Sequence, residues 1–198
     1  MITDIRQFGL FRVDVFGVVL NLPHQEIAKY CLEVIDRAEG YTSFFDPDFN
    51  KEFKDNIPHK EQFEKDLCDA ADTFVAKTGR RPFAESGGHT LNYWCSVYQE
   101  HDQHGSHIHP MSLISGTYYP QTAQDSAGLT LEAPWISRLM HDSLDLKLAV
   151  HEYFPKPGEC LMWPAWLDHR VGRQGKTDTP RIAISFNIDY KGAHPLGS

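Results

Sequence analysis

HIHPMSLISGTYYP, residues 107–120, carries no helical period. Its β-branched, aromatic and small residues run between two prolines, and the stretch reads as extended chain. In extended chain residues two apart point to one face, whereas in a helix they diverge by about 200°. His107 and His109 therefore face one side together, with Ile108 on the other. Pro110 biases His109 toward extended backbone, and the strand is expected to continue through SLISGTYY.

The same character persists on both sides of this stretch. From about residue 82 onward the chain is a series of short β-like runs: LNYWCSVYQ, HIHPMSLISGTYYP, GLTLEA, KLAVHEYFP, GECLMWP and RIAISFNIDY. Turn signals at Pro120, Gly128, Pro134, Pro157-Gly158 and Gly172 separate them. Strands at this spacing with no helices between them predict an antiparallel sandwich or barrel rather than a parallel sheet.

Helical spacing is confined to the N-terminal part. After a strand-like FGLFRVDVFGVVL (8–20), the residues Ile27, Cys31, Val34, Ile35 and Ala38 recur along 21–38, with Asn21 and Pro23 at a helix start. A second stripe, Phe63, Leu67, Ala70, Ala71, Phe74 and Val75, lies in 60–78 and stops near Gly79. Residues 40–60 read as a long connection with aromatic anchors. The expectation is a mainly β jelly roll with two N-terminal helices on one outer face, forming one domain over 1–198. The helical cover falls at about 21–80 and the jelly-roll core at about 82–191.

Composition limits the function classes. A net charge of −8 leaves no basic surplus for phosphates, so no nucleic-acid partner is expected. The four cysteines, Cys31, Cys68, Cys95 and Cys160, form no C-x-x-C pair and read as reduced, mostly buried thiols. No apolar run reaches 18 residues and no basic start precedes an apolar stretch, so neither membrane insertion nor export is expected, and a cytoplasmic protein is the default.

Four histidines crowd HDQHGSHIHP, residues 101–110. His101 and His104 fall in a polar, glycine-containing stretch and read as loop residues, one of which could line the mouth of a site. His107 and His109 form a candidate bidentate pair. His169, after a strand and a Trp-rich turn, supplies a third imidazole. Three such ligands on one edge of a barrel leave coordination positions open, the arrangement non-haem iron enzymes use to bind a co-substrate and oxygen together. In RIAISFNIDY, Ile182, Ile184, Phe186 and Ile188 share one face, and Arg181, Ala183, Ser185 and Asn187 the other. If the apolar face packs on the helices, Arg181 points into the barrel, where a guanidinium fork needs an anion such as a carboxylate, and the Ser185 hydroxyl could share it. Tyr98, Tyr118, Tyr119, Trp163 and Trp166 are candidates for the surrounding wall. His24, His59, His89, His141, His151 and His194 lack a partner at useful spacing and read as surface or satisfied structural residues, and the terminal GAHPLGS reads as a flexible end.

In order along the chain, H-x-H-P (107–110), S-G-x-Y-Y (115–119), GLTLEAP (128–134), P-x-W-L-x-H (164–169) and R-I-x-I-S-F-N (181–187) resemble the 2-oxoglutarate- and iron(II)-dependent oxygenases, over roughly residues 90–190. The resemblance implies a double-stranded β-helix with Fe(II) at the barrel mouth and 2-oxoglutarate as co-substrate. His107 and His169 carry over as metal ligands, and the far carboxylate of 2-oxoglutarate would reach Arg181, with Ser185 as helper. Where the general pattern has a carboxylate two residues after the first histidine, this chain has His109, implying three-histidine ligation, with Asp102 as the alternative. The implied reaction is hydroxylation of a C–H bond with decarboxylation of 2-oxoglutarate to succinate. Two other readings stand beside it: a three-histidine cupin-type thiol dioxygenase, and a non-catalytic jelly-roll module that binds metal or ligand. The substrate, a small molecule or peptide, is not readable, although residues 40–60, 120–127 and 134–146 are expected to shape its site. An exposed sheet edge leaves room for a homodimer.

Overall fold

The computed structural model describes residues 12–38, 40–123, 125–133 and 150–192. Residues 8–11 and 147–149 of two expected strands, the 134–146 loop, His141, His194 and the terminal residues 193–198 lie outside this set.

Strand β1 (Phe16–Val19) leads into three helices, α1 (His24–Ile35), α2 (Pro47–Asn56) and α3 (Lys60–Lys77). After a short 3-10 turn at Phe83–Ser86 come β2 (His89–Tyr98), β3 (His104–His107), β4 (Ile114–Gln121) and β5 (Leu129–Glu132). The last described strands are β6 (Val150–Tyr153), β7 (Glu159–Pro164), β8 (His169–Val171) and β9 (Arg181–Tyr190). They form two antiparallel sheets, ordered β1-β7-β4-β9-β2 and β3-β8-β5-β6, so the mainly β expectation holds. No helix among the described residues is long and apolar enough to cross a membrane.

Strand β9 sits inside the larger sheet between β4 and β2 and divides the molecule as its alternation demands. Ile182, Ile184, Phe186 and Ile188 are buried in one cluster with Ile27, Cys31, Phe63, Leu67 and Phe74 of α1 and α3. Arg181, Ala183, Ser185 and Asn187 line a cavity on the opposite face. The cysteines are all free, and Cys31, Cys95 and Cys160 are buried.

Three expectations need correction. The 40–60 connection contains α2, which begins where the Asp46 carboxylate accepts from the amides of Asp48 and Phe49 and Pro47 occupies the first turn. The strand from His107 does not continue through SLISGTYY. Pro110 cannot donate to a ladder, Met111 has φ 73° in the left-handed region, and the chain crosses from β3 in one sheet to β4 in the other. Strand β8 was not expected because three residues are too few to show an alternation.

Gly116 is the tightest point of β4. A Cβ there would lie 2.3 Å from Phe186 Cζ and 2.6 Å from the Leu161 carbonyl oxygen. The ring could move but the backbone oxygen of β7 could not without parting the sheet. Gly116→Ala is therefore expected to cost about 3 kcal/mol or more, the upper end for overpacking, read as a lowered urea midpoint with unchanged slope.

Candidate metal centre

The crossover between the sheets sets the site. His107 ends β3 and pairs with His169 at the start of β8, placing the two rings side by side with centroids 4.2 Å apart. His109 lies in the crossover itself, where its amide donates to the Ala165 carbonyl at 2.9 Å. Its Nε2 comes within 3.2 Å of His107 Nε2. Each of the three residues offers one ligand atom, and these atoms all lie within 4.8 Å of one another. Three imidazoles brought together from two strands and a turn could hold a metal ion.

The outer hydrogen bonds fix which nitrogen faces inward. His107 Nδ1 donates to the Gly105 carbonyl at 2.8 Å and His169 Nδ1 to the Leu167 carbonyl at 2.9 Å. A ring that donates from Nδ1 presents Nε2 as a lone pair, the form a metal requires. His109 is held by the Asn187 side chain and by Trp94, which stacks on it at 5.8 Å and 20°. Asn187 in turn accepts from the Ser115 hydroxyl at 2.9 Å. Trp163 packs edge-on against His169 at 4.9 Å.

Burial keeps the His109 and His169 rings neutral. It depresses His169 to about 3, opposed by the Leu167 carbonyl, and His109 to about 4, helped by neighbouring His107. As pH falls below about 6.5, the unfolded chain takes up protons at these positions that the folded metal-free chain does not. Stability therefore falls from about pH 6.5 toward pH 4. Urea midpoints of the metal-free protein should show this slope, and His169→Asn should make it shallower.

The cavity has a volume of about 440 Å³. At one end lies Arg181, only 1% exposed. Its guanidinium sits over the rings of Tyr98 and Tyr119 at 4.9 and 5.0 Å. Neither its Nε nor its Nη1 has a hydrogen-bond partner among the described residues, and the same is true of the Trp163 indole nitrogen, while the Tyr119 hydroxyl lies against Thr117 and Arg181 itself. A buried cation with unmet donors is costly unless an anion joins it. The donors fit a carboxylate, and the imidazoles fit a divalent transition metal.

The remaining sequence candidates divide. Ser185 lines the cavity with its hydroxyl 3.3 Å from Thr117 Oγ1. It lies four residues along β9 from Arg181, about 13 Å at strand rise, on the side toward Asn187. Tyr98 and Trp163 line the cavity, Tyr118 packs among the helix-facing residues, and Trp166 is exposed. Asp102 does not join the imidazoles, since its carboxylate accepts from the Gln99 amide at 2.7 Å. His101 is exposed, whereas His104 is not a loop residue. It opens β3, lines the cavity, meets the Tyr41 hydroxyl at 3.1 Å and packs on His107 at 4.4 Å. The stretch 40–45 contributes Tyr41, Thr42, Phe44 and Phe45 to the cavity, and none of the described residues of 120–127 lines it.

Residues 92–187 match the model of a family described as "Putative 2OG-Fe(II) oxygenase". No curated protein matches the chain. Among solved structures, AviO1 from Streptomyces viridochromogenes aligns at TM-score 0.62 and 15% identity over 94% of each chain. A prolyl-4-hydroxylase from Pseudomonas putida aligns at TM-score 0.57 and 12% identity over 90% of this chain and 93% of its own. A prolyl hydroxylase from Trichoplax adhaerens, solved with a hypoxia inducible factor peptide, gives 0.57 and 14% over 93% and 87%. At these identities the structures speak for the jelly-roll fold. The family match runs from within β2 into β9 and includes the imidazole cluster, Arg181 and Ser185. Over residues 92–187 the chain matches the 2OG-Fe(II) oxygenase family, oxidoreductases that use Fe(II) and 2-oxoglutarate.

Proposed function

We propose that this oxygenase hydroxylates a C–H bond of a small molecule or peptide, with Fe(II) held by His107, His109 and His169 and 2-oxoglutarate anchored by Arg181. Fe(II) and 2-oxoglutarate together supply the oxidation: one oxygen atom of O₂ enters succinate as carbon dioxide leaves, and the other enters the product. The observation that carries the reading is Arg181, a buried guanidinium with two nitrogens unpartnered among the described residues, in the cavity that the three imidazoles line.

The protein's own contribution is binding and orientation. The carbonyls of Gly105 and Leu167 hold His107 and His169 in the ligating tautomer, and Asn187 with Trp94 holds His109. Arg181 offers a fork to the far carboxylate, with the Tyr119 hydroxyl beside it as a further donor. Ser185 and Thr117 line the same cavity, between Arg181 and Asn187 along β9. The reading takes helices and sheets as one domain.

Anaerobic titration of the Fe(II)-loaded chain with 2-oxoglutarate tests the assignment. A visible absorption band should grow with 2-oxoglutarate and weaken in His109→Ala, and admission of air should release succinate. Iron binding with no band and no succinate would sink it and favour a thiol dioxygenase or a binding module.

A further inference from the structure

The inner part of the cavity carries the polar and charged groups, while its mouth is built differently. From His109 outward the rings follow one another: Trp94 on His109, Phe44 against Trp94 at 4.9 Å, and Phe45 edge-on to Phe44 at 5.3 Å. Exposure rises along this track, from 8% at Trp94 to 48% at Phe44 and 75% at Phe45. Ile108, 41% exposed, and Pro110 also line the mouth. Large apolar side chains left in water around a cavity mark a place where something apolar binds.

The track is held rigidly. Ser43 N–H donates to the Cys95 carbonyl and Val97 N–H to the Tyr41 carbonyl, at 2.9 and 2.8 Å, so the segment before Phe44 is stitched to the edge of β2. The Ser43 hydroxyl donates to Asn50 Oδ1 on α2 at 2.8 Å. Polar groups at the mouth are satisfied locally: the Ser96 hydroxyl donates to Thr42 Oγ1, Thr42 Oγ1 to the Cys95 carbonyl, and Tyr41 pairs with His104. Among the described residues that line the cavity there is no carboxylate and no lysine, and the one guanidinium, Arg181, is buried. A charged substrate would give up hydration there and gain no partner, whereas a flat apolar ring would meet ready-made stacking faces.

We propose that the mouth is the substrate subsite and that it takes an uncharged small molecule bearing an apolar ring system, stacked along Trp94, Phe44 and Phe45. This rests on the reading of Arg181 as the co-substrate anchor. The test uses two probes of one ring and different charge, 1-naphthol and 1-naphthoate. They are titrated calorimetrically, without oxygen, into the Fe(II)-loaded chain saturated with 2-oxoglutarate, so that Arg181 is already occupied. Naphthol should bind at least about tenfold more tightly than naphthoate. Phe44→Ser and Phe45→Ser should each weaken naphthol several-fold while leaving the thermal midpoint and the 2-oxoglutarate absorption band unchanged. Equal binding of both probes, no naphthol binding with the band intact, or full binding by both serine variants would overturn the proposal. A neutral peptide that binds where naphthol does not would assign the surface to a polypeptide instead. Should the band itself never form, the co-substrate reading fails, and naphthol binding to the wild type against the serine variants still decides the track.

Discussion

Arg181→Met is expected to weaken 2-oxoglutarate binding by about thirtyfold or more and, in the same protein, to raise the thermal midpoint measured without ligand. Both effects come from one fact, the burial of a guanidinium whose Nε and Nη1 have no partner among the described residues. Losing a buried charge-assisted fork costs about 2–5 kcal/mol of binding, a factor of roughly thirty to several thousand. Without a ligand the same fork is a burden on folding, because replacing a buried charge with an apolar side chain of similar volume commonly gains about 1–4 kcal/mol. Part of that gain is offset by the lost stacking on Tyr98 and Tyr119, about 0.5–2 kcal/mol, and methionine restores some of it through sulfur–ring contact. The remainder is a rise of a few degrees for a chain of this length, at about 2–4 °C per kcal/mol. The order should reverse when ligand is added, since 2-oxoglutarate at a hundred times its Kd stabilises the wild type by about 2.7 kcal/mol and the variant hardly at all. Thermal melts with and without 2-oxoglutarate read both effects. A variant that melts lower and keeps its 2-oxoglutarate affinity would mean that a protein carboxylate already pairs Arg181.

Much of this site was readable because its residues lie on strands whose alternation is unambiguous. RIAISFNIDY separates Arg181, Ser185 and Asn187 from Ile182, Ile184 and Phe186 by parity alone, and both faces are where parity puts them. The H-x-H spacing likewise brings His107 and His109 to one side, although the backbone that does so is a strand end and a turn rather than one strand. What could not be read depends on pairing between distant segments. His104 lines the cavity because β3 pairs with β8, and HDQHGS carries no apolar pattern to announce a strand. Helix α2 escaped because its buried residues, Asn50 and Phe53, make too thin a stripe, although Asp46-Pro47 is a cap signal that a closer look at 40–60 would use. The ring sandwich around Arg181 joins β2, β4 and β9, and the aromatic track depends on residues 41–43 bonding to the edge of β2. Neither leaves a mark in local sequence.

The metal ligands give the other large effect, and it should be unequal among them. On the three-histidine reading, His107→Ala, His109→Ala and His169→Ala each remove a third of the protein's donors, and a loss of Fe(II) affinity of at least about a hundredfold is expected for each. That magnitude follows from structural metal sites, where about 10–16 kcal/mol is shared among four ligands, or roughly 3 kcal/mol apiece. Asp102→Asn should leave affinity unchanged, because its carboxylate is bound to the Gln99 amide rather than aimed at the imidazoles. Asn187→Ala should fall between, at about ten- to a hundredfold, as is usual when the group orienting a ligand is lost. Folding separates the ligand variants further. His169 is buried, donates to the Leu167 carbonyl and packs on Trp163, so its removal opens a void and orphans an acceptor. His107 is only partly buried and its carbonyl partner, Gly105, is exposed. His107→Ala should therefore lose iron with a nearly unchanged metal-free urea midpoint, whereas His169→Ala should lose both iron and stability. Competition with a coloured chelator gives the affinities. If Asp102→Asn released the metal and His109→Ala kept it, the middle ligand would be a carboxylate and the three-imidazole centre would be wrong.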